Sequence, residues 1–103
     1  MHVVVFVTAK DRKEAKTIAD TLVQKKLIAC ANIVKGIESV FWWAGKVDRC
    51  KEVLLIMKTK KSLLSKVVKA VKAAHSYSVP EVIAVPIIAG NRDYLRWIDA
   101  SVG

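Results

Sequence analysis

The stretch that decides the fold is residues 37–57, Ile-Glu-Ser-Val-Phe-Trp-Trp-Ala-Gly-Lys-Val-Asp-Arg-Cys-Lys-Glu-Val-Leu-Leu-Ile-Met. With its flanks, from Ala29 to Thr59, it predicts two strands joined by a tight turn at Ala44 and Gly45. Each arm is roughly twice the ordinary strand length of about 5–6 residues and would span ~40 Å. Because a compact domain of this length has a radius of gyration of about 13 Å, the far end must project from the body or lie on another subunit.

The composition of the two arms distinguishes an inner half from an outer half. Residues 53–57 are apolar on both faces, as in a central buried strand, whereas residues 48–52 are mostly polar. Near the turn, the opposite arm carries Phe41, Trp42 and Trp43, and exposed aromatic side chains of this kind mark a contact surface. Self-association is therefore favoured over the alternative, a hairpin folded back on its own domain with the tryptophans in a single-chain core.

The elements on either side of the hairpin follow from apolar periodicity. Residues 1–8 predict a buried strand rather than a secretory signal. Asp11 and Glu14 have the spacing of a capping box, which predicts a helix running to about Lys26. Gly36 marks a bulge or bend in the first arm of the hairpin.

Beyond the hairpin, a second helix is predicted from about Ser62 to His75, with an apolar stripe on one side and lysines on the other. A strand over residues 81–88 follows, in which Pro86 suits an edge or terminal position. A short C-terminal helix is expected around Trp97.

This order predicts an α+β fold, a ferredoxin-like βαββαβ sandwich with a long protruding β-hairpin and a short C-terminal helix. The two longer helices would pack on one face of an antiparallel sheet, and residues 1–103 would form a single domain. The other face of the sheet is too apolar to be left in water, which again indicates a partner.

Composition limits the classes of function. The apolar share of 53% excludes disorder, and no apolar run approaches the ~20 residues of a membrane span. Cys30 and Cys50 lie on predicted strands without close spacing, which favours a reducing, cytoplasmic setting. The net charge is +9, but no aromatic residue lies among the lysines of the second helix, so a solvated face is favoured over a nucleic-acid footprint.

No catalytic motif is present, and an enzyme is not expected. Two places could bind a ligand. The Cys30 thiolate would suit Cu(I) or Zn(II), although an isolated cysteine in a strand is more often plain core. The loop with His75, Tyr77 and Glu81 could bind a cation, or a small polar ligand beside Lys58; alternatively, His75 only caps its helix.

The chain resembles the CutA family of divalent-cation tolerance proteins over nearly its whole length. The segments that carry the resemblance are residues 29–33, 36–46, 52–59, 75–87 and 90–97. The resemblance implies a ferredoxin-like homotrimer whose long hairpins pair across subunits, and Phe41, Trp42 and Trp43 are the expected interface residues. It also implies a cytoplasmic protein linked to tolerance of copper and other divalent metals. The family is similar in architecture to the PII signalling proteins, which bind small molecules between subunits.

Candidate site residues can be transferred by position from this resemblance. Cys30 matches the cysteine of the family's Ala-Cys-x-Asn segment, and Lys58 matches the Lys-Thr pair that ends its long strand. His75, Tyr77 and Glu81 match its His-Pro-Tyr-x-x-Pro-Glu loop, so Cys30, His75 and Glu81 are the candidate metal ligands. The family usually has proline where this chain has Ser76, and it usually mixes Glu with Lys along the second helix.

Three functional hypotheses follow. The first is a non-enzymatic homotrimer, linked to divalent-cation tolerance, that binds copper or another divalent cation weakly and needs no obligatory cofactor. The second is a PII-like sensor that binds a small anionic metabolite in an inter-subunit cleft lined by Lys58, His75, Tyr77 and Glu81. The third is a purely structural trimeric scaffold. None of them involves a membrane or a nucleic acid.

Overall fold

The computed structural model describes residues 1–103 and contains four strands and three α-helices. In chain order these are β1 (His2–Ala9), α1 (Arg12–Gln24), β2 (Cys30–Trp43), β3 (Lys46–Lys60), α2 (Leu64–Ala74), β4 (Val82–Pro86) and α3 (Arg92–Ser101). The strands form one antiparallel sheet in the order β2-β3-β1-β4. This is the predicted ferredoxin-like α+β arrangement. None of the helices is long and apolar enough to cross a membrane.

The core lies between one face of the sheet and the helices α1 and α2. In β1 every second side chain is buried, namely Val3, Val5, Val7 and Ala9, as the two-residue period of a strand requires. Ile18 and Leu22 of α1, one helical turn apart, pack against this face together with Val67 and Val71 of α2. The predicted apolar stripes therefore become the core.

The opposite face of the sheet is covered only in part. Helix α3 buries Ile98 in a small cluster with Ala29 and Val102, and His2 of β1 contacts Asp99 at 2.9 Å. Elsewhere on this face large apolar side chains remain in water, including Ile83, which is 54% exposed, and Val85, which is 42% exposed. As predicted, this face is more apolar than a surface left in water would be.

The hairpin formed by β2 and β3 extends beyond this body. The two strands have 14 and 15 residues, and the longest dimension of the chain is 44 Å against 25 and 23 Å in the other directions. The turn is formed by Ala44 and Gly45, both with positive φ, as predicted from the sequence. Near it, Trp42 is 74% exposed and Trp43 is 54% exposed, so neither ring packs into the core of its own chain.

A bulge interrupts the pairing of the hairpin at Gly36, whose φ is 77°. Val34 lies opposite Leu54, but the next paired residue, Ile37, lies opposite Glu52, so β2 carries one extra residue. The extra residue reverses the alternation of side chains in β2. Before the bulge odd-numbered residues such as Ile33 face the helices, whereas beyond it odd-numbered residues face the other side of the sheet.

Three predicted boundaries differ from the structure by one or two residues. Helix α1 ends at Gln24 rather than Lys26, because Lys26 adopts a left-handed conformation with φ 57° that terminates the helix. Strand β4 covers Val82–Pro86 rather than residues 81–88, although one further backbone hydrogen bond, from the Ile87 N–H to the carbonyl oxygen of His2 at 2.9 Å, follows it. A short 3-10 turn over Lys61–Leu63 precedes α2, which therefore starts at Leu64.

The capping box was only half right. The Asp11 side chain accepts a hydrogen bond from the Glu14 N–H at 2.8 Å and caps α1, as predicted. The Glu14 carboxylate, however, does not return to the backbone of Asp11. It turns instead toward the segment that follows α2, where it becomes part of the candidate site.

Candidate functional site

The loop after α2 is anchored by a buried histidine. His75 directly follows the last turn of α2, and its side chain is 0% exposed. Its Nε2–H donates to the carbonyl oxygen of Thr8 at 2.6 Å, because a carbonyl can only accept. Its Nδ1 accepts the N–H of Tyr77 at 3.0 Å. His75 is the C-cap residue of α2, as the alternative interpretation of the sequence held, but its ring bonds β1 and its own loop.

Glu14 reaches this histidine from α1. Its Oε2 accepts a hydrogen bond from the Ser76 N–H at 3.2 Å, and its Oε1 lies 3.3 Å from Nδ1 of His75. The Glu14 side chain is only 9% exposed, and Oε1 is buried without a hydrogen-bond donor. A proline in place of Ser76 could not make this contact, because proline has no N–H.

Tyr77 connects the loop to the hairpin. Its ring lies against that of His75, with centroids 4.5 Å apart, and its hydroxyl donates to Oε2 of Glu52 at 2.8 Å. Glu52 is buried, at 8% exposure, and this hydrogen bond gives one of its oxygens a donor. Burial, followed by the hydrogen bond and the charge of Glu52, raises the pKa of Tyr77 well above its usual range, and the phenol remains a donor at neutral pH.

A groove of about 700 Å³ lies between this loop and the outer half of the hairpin. Its walls include the aromatic rings of Phe41 and Trp43 and the carboxylates of Asp48, Glu52 and Glu81, and no lysine or arginine lines it. Three of the nine acidic residues of a chain with net charge +9 therefore meet in one groove. Cys50 lies among them, and burial, together with the charges of Glu52 and Asp48, raises the pKa of its thiol.

The remaining candidate residues lie at the other end of the sheet. Cys30 is paired with Lys58 across β2 and β3, and its Sγ lies 3.5 Å from the hydroxyl of Tyr94. This hydrogen bond, followed by burial, raises the pKa of Tyr94 to about 12. The Lys58 ammonium donates to Oδ1 of Asn32. Lys58 is six positions from Glu52 along β3, a separation of ~20 Å.

The structure therefore groups the predicted site residues in two places. Tyr77 and Glu81 line one groove and His75 lies behind Tyr77, but within one chain Lys58 and Cys30 lie far from all three. No group of three or more His, Cys, Asp or Glu side chains is arranged to hold a metal ion within one chain. Any site that used Cys30 or Lys58 together with His75 would need more than one chain.

The sequence analysis did not select four polar residues of this region as site residues, although the sequence contains a signal for each of them. Asp48, Cys50 and Glu52 are spaced by two along β3, which puts them on one face of the strand. Glu14 lies four positions before Ile18, at the edge of the apolar stripe of α1, where a carboxylate needs a partner.

The comparisons with known proteins agree with the fold. The family model of the CutA1 divalent ion tolerance protein matches residues 3–101. The chloroplastic protein CutA 1 of Oryza sativa subsp. japonica is 52% identical over 99 residues, which are 96% of this chain and 56% of that protein. The chain thus spans about half the length of that plant relative, and 54% of the similar chloroplastic CutA of Arabidopsis thaliana.

Solved structures are similar over the whole chain. The divalent cation tolerance protein Cut A1 from Thermus thermophilus has a TM-score of 0.98 and 44% identity, and the comparison covers 100% of both chains. The periplasmic divalent cation tolerance protein CutA from Archaeoglobus fulgidus has a TM-score of 0.97 and 43% identity, again with full coverage of both. With a family match that spans almost every residue, the chain belongs to the CutA1 divalent ion tolerance family.

Proposed function

We propose that this protein acts in divalent-cation tolerance as a non-enzymatic homotrimer that binds copper or another divalent cation weakly. The observation that carries the proposal is the groove with Asp48, Glu52 and Glu81 on its walls and no basic residue. In a chain of net charge +9, these carboxylates create a local negative potential that attracts cations. Membership of the CutA1 family supports the general role.

The homotrimer is supported by surfaces that one chain leaves uncovered. The tryptophans of the hairpin and the apolar side chains of β4 are exposed, and a soluble monomer rarely leaves patches of this kind in water. Phe41, Trp42 and Trp43 remain the expected interface residues. The number of subunits, three, is taken from the family resemblance.

Of the two candidate metal locations, the region of His75 is better supported than Cys30. The neighbour of Cys30 across the sheet is Lys58, whose positive charge disfavours a second cation. The hypothesis of an anionic metabolite has less support than metal binding, because the groove beside Tyr77 carries acidic side chains and Lys58 of the same chain lies ~20 Å away. The scaffold hypothesis predicts that metal titrations give no signal.

The test combines light scattering with titration of Cu²⁺ and Zn²⁺ followed by calorimetry. We expect a mass of three chains of 11.4 kDa each, and weak binding that is reduced in His75→Ala or in Cys30→Ser. His2→Ala is the matched control, because His2 is the only other histidine. A folded monomer would contradict the trimer, and unchanged binding in both variants would remove these residues from the site.

Two further statements stay predictions. A cytoplasmic location rests on the two cysteines, which are free in the structure, whereas relatives bear the descriptions chloroplastic and periplasmic. Fractionation of the source cells tests it. The absence of catalysis rests on the lack of a catalytic motif in the sequence.

A further inference from the structure

We propose that the groove between the loop after α2 and the outer half of the hairpin binds an elongated organic polycation of the alkyl polyamine class. This inference goes beyond the proposed function, because it assigns to the groove a ligand with a carbon chain and several ammonium groups rather than a metal ion. Three properties of the groove indicate such a ligand: a buried carboxylate without a positive partner, aromatic walls, and acidic side chains set out in a row.

The buried carboxylate belongs to Glu52, which is only 8% exposed and lines the groove. Its Oε2 accepts the hydroxyl of Tyr77, whereas its Oε1 receives no hydrogen bond from the chain. Neither ion pair of the chain involves this residue. A carboxylate that is largely withdrawn from water is costly unless a cation and hydrogen-bond donors compensate it. An ammonium group in the groove would supply both the missing charge and the missing donor.

The basic residues of the hairpin are not placed to supply that charge. Arg49 and Lys51 alternate along β3 with Asp48, Cys50 and Glu52, so they face the other side of the sheet. No other lysine or arginine lines the groove. Over this part of β3 the acidic side chains therefore face the groove and the basic ones face away from it. The cation that neutralises the groove must come from outside the chain.

The walls of the groove favour an organic cation over a metal ion. The rings of Phe41 and Trp43 line it, and an aromatic ring both attracts an ammonium ion and packs against methylene groups. A metal ion instead needs several ligands that converge on one point. No three His, Cys, Asp or Glu side chains of one chain are arranged in that way. A chain of ammonium groups can meet the carboxylates one at a time.

The spacing of the carboxylates indicates the length of the ligand. Asp48 and Glu52 lie on one face of β3 four residues apart, which separates their Cα atoms by ~13 Å. Glu81 lines the groove from the segment that leads into β4. The volume of about 700 Å³ is in the usual range for a small-molecule site. Spermidine, with three ammonium groups along a flexible chain, matches this row and is the probe of choice.

The proposed assembly sets a strict condition on this site. Phe41 and Trp43 are also expected interface residues, so in a trimer the groove would lie at a seam between subunits. A neighbouring subunit would either close over a ligand in the groove or fill the groove with a side chain of its own. The inference requires the first of these arrangements, and binding of the probe to the assembled protein distinguishes them.

The test titrates spermidine into the full chain by calorimetry at low ionic strength. We expect Glu52→Gln to weaken binding at least about tenfold, because it removes the buried charge that pairs with an ammonium group. The variant should still fold, since its amide oxygen can accept from the hydroxyl of Tyr77. Glu38→Gln is the matched control, because it removes an exposed carboxylate from the same hairpin outside the groove, and it should bind as the wild type does.

Nuclear magnetic resonance supplies the second readout. Spermidine should shift the indole N–H of Trp43, which lines the groove, more than that of Trp42, which takes the opposite face of the ribbon. An uncharged diol of similar length, 1,8-octanediol, should produce neither a shift nor heat.

Three outcomes would overturn the inference. Spermidine could bind Glu52→Gln and Glu38→Gln equally, or the diol could bind as tightly as spermidine. The wild-type protein could also bind no spermidine at all, which is the result expected if a basic side chain of a neighbouring copy fills the groove. The titrations of Cu²⁺ and Zn²⁺ test the proposed function separately, so metal binding without spermidine binding would leave that function standing.

Discussion

The inner and outer halves of the hairpin belong to the same two strands but differ in what lies against them. In the inner half of β3, Val53, Leu55, Met57 and Thr59 are buried against the helices. In the outer half, Lys46–Lys51 are mostly exposed, although the pairing with β2 continues to the turn. The backbone ladder is thus the same, and the difference lies in the packing of side chains.

This difference indicates which half can be stable alone. A two-stranded ribbon without a packed face is marginally stable in water, whereas a ribbon that forms part of a four-stranded sheet with a core is not. The inner half owes its order to its own chain. The outer half, with its exposed tryptophans, owes its order to whatever covers it, and in the proposed assembly this is a second copy of the chain.

The largest effect is expected in the inner half. Leu55→Ala removes a fully buried side chain from the core and should lower the free energy of unfolding by about 2–5 kcal/mol. Chemical denaturation at fixed protein concentration measures it, with Val47→Ala in the exposed half of the same strand as the control. Equal effects of the two changes would contradict the distinction between the halves.

The next largest effect should appear in assembly. Replacing Trp42 and Trp43 with alanine should weaken subunit association by about 2 kcal/mol or more, because buried tryptophans dominate interface energies. Light scattering over a dilution series measures it, and circular dichroism should show that the body remains folded. An unchanged mass at every concentration would mean that the outer half needs no partner.

The smallest effect is expected where the loop after α2 meets the hairpin, at the contact between Tyr77 and Glu52. Tyr77→Phe removes the hydroxyl that donates to the buried Glu52 and should cost about 1 kcal/mol. Since the folded protein holds the pKa of Tyr77 above its ordinary value of about 10, this contribution is complete below pH 10 and is lost as the pH rises further.

Denaturation as a function of pH measures this effect. The difference in stability between the wild type and Tyr77→Phe should be constant at neutral pH and should shrink above about pH 10. A difference that grew with pH would show that the phenol is not held in its protonated form. Tyr94→Phe serves as a comparison at the other end of the sheet, where the pKa is raised to about 12.

Most of the fold could be predicted from local patterns. The continuous apolar runs of β1 and of the inner half of β3, the helical stripes and the turn at Ala44 and Gly45 all lie within short windows of sequence. The Asp11 cap belongs to the same class. Element ends were less predictable, since they depend on single backbone conformations such as the left-handed Lys26.

The candidate site was less accessible to sequence reasoning. The contact between Glu14 and His75 joins residues 61 positions apart, and the spacing of Glu14 from Asp11 equally suits a capping box. Asp48, Cys50 and Glu52 of β3 are two residues apart, so the sequence alone places them on one face of the strand. Which residues of β2 share that face depends on the bulge at Gly36. Predicting a bend at Gly36 does not predict that the side chains of β2 exchange faces of the sheet beyond it.

The bulge at Gly36 thus selects which aromatic rings line the groove. Beyond it, Phe41 and Trp43 share a face with Cys50 and Glu52, and Trp42 takes the opposite face. Deleting Gly36 would exchange the two sets and turn Trp42 toward the carboxylates. Inserting or deleting one residue in this arm would therefore move every side chain beyond it to the opposite face of the sheet. A change of two residues would keep each side chain on its present face.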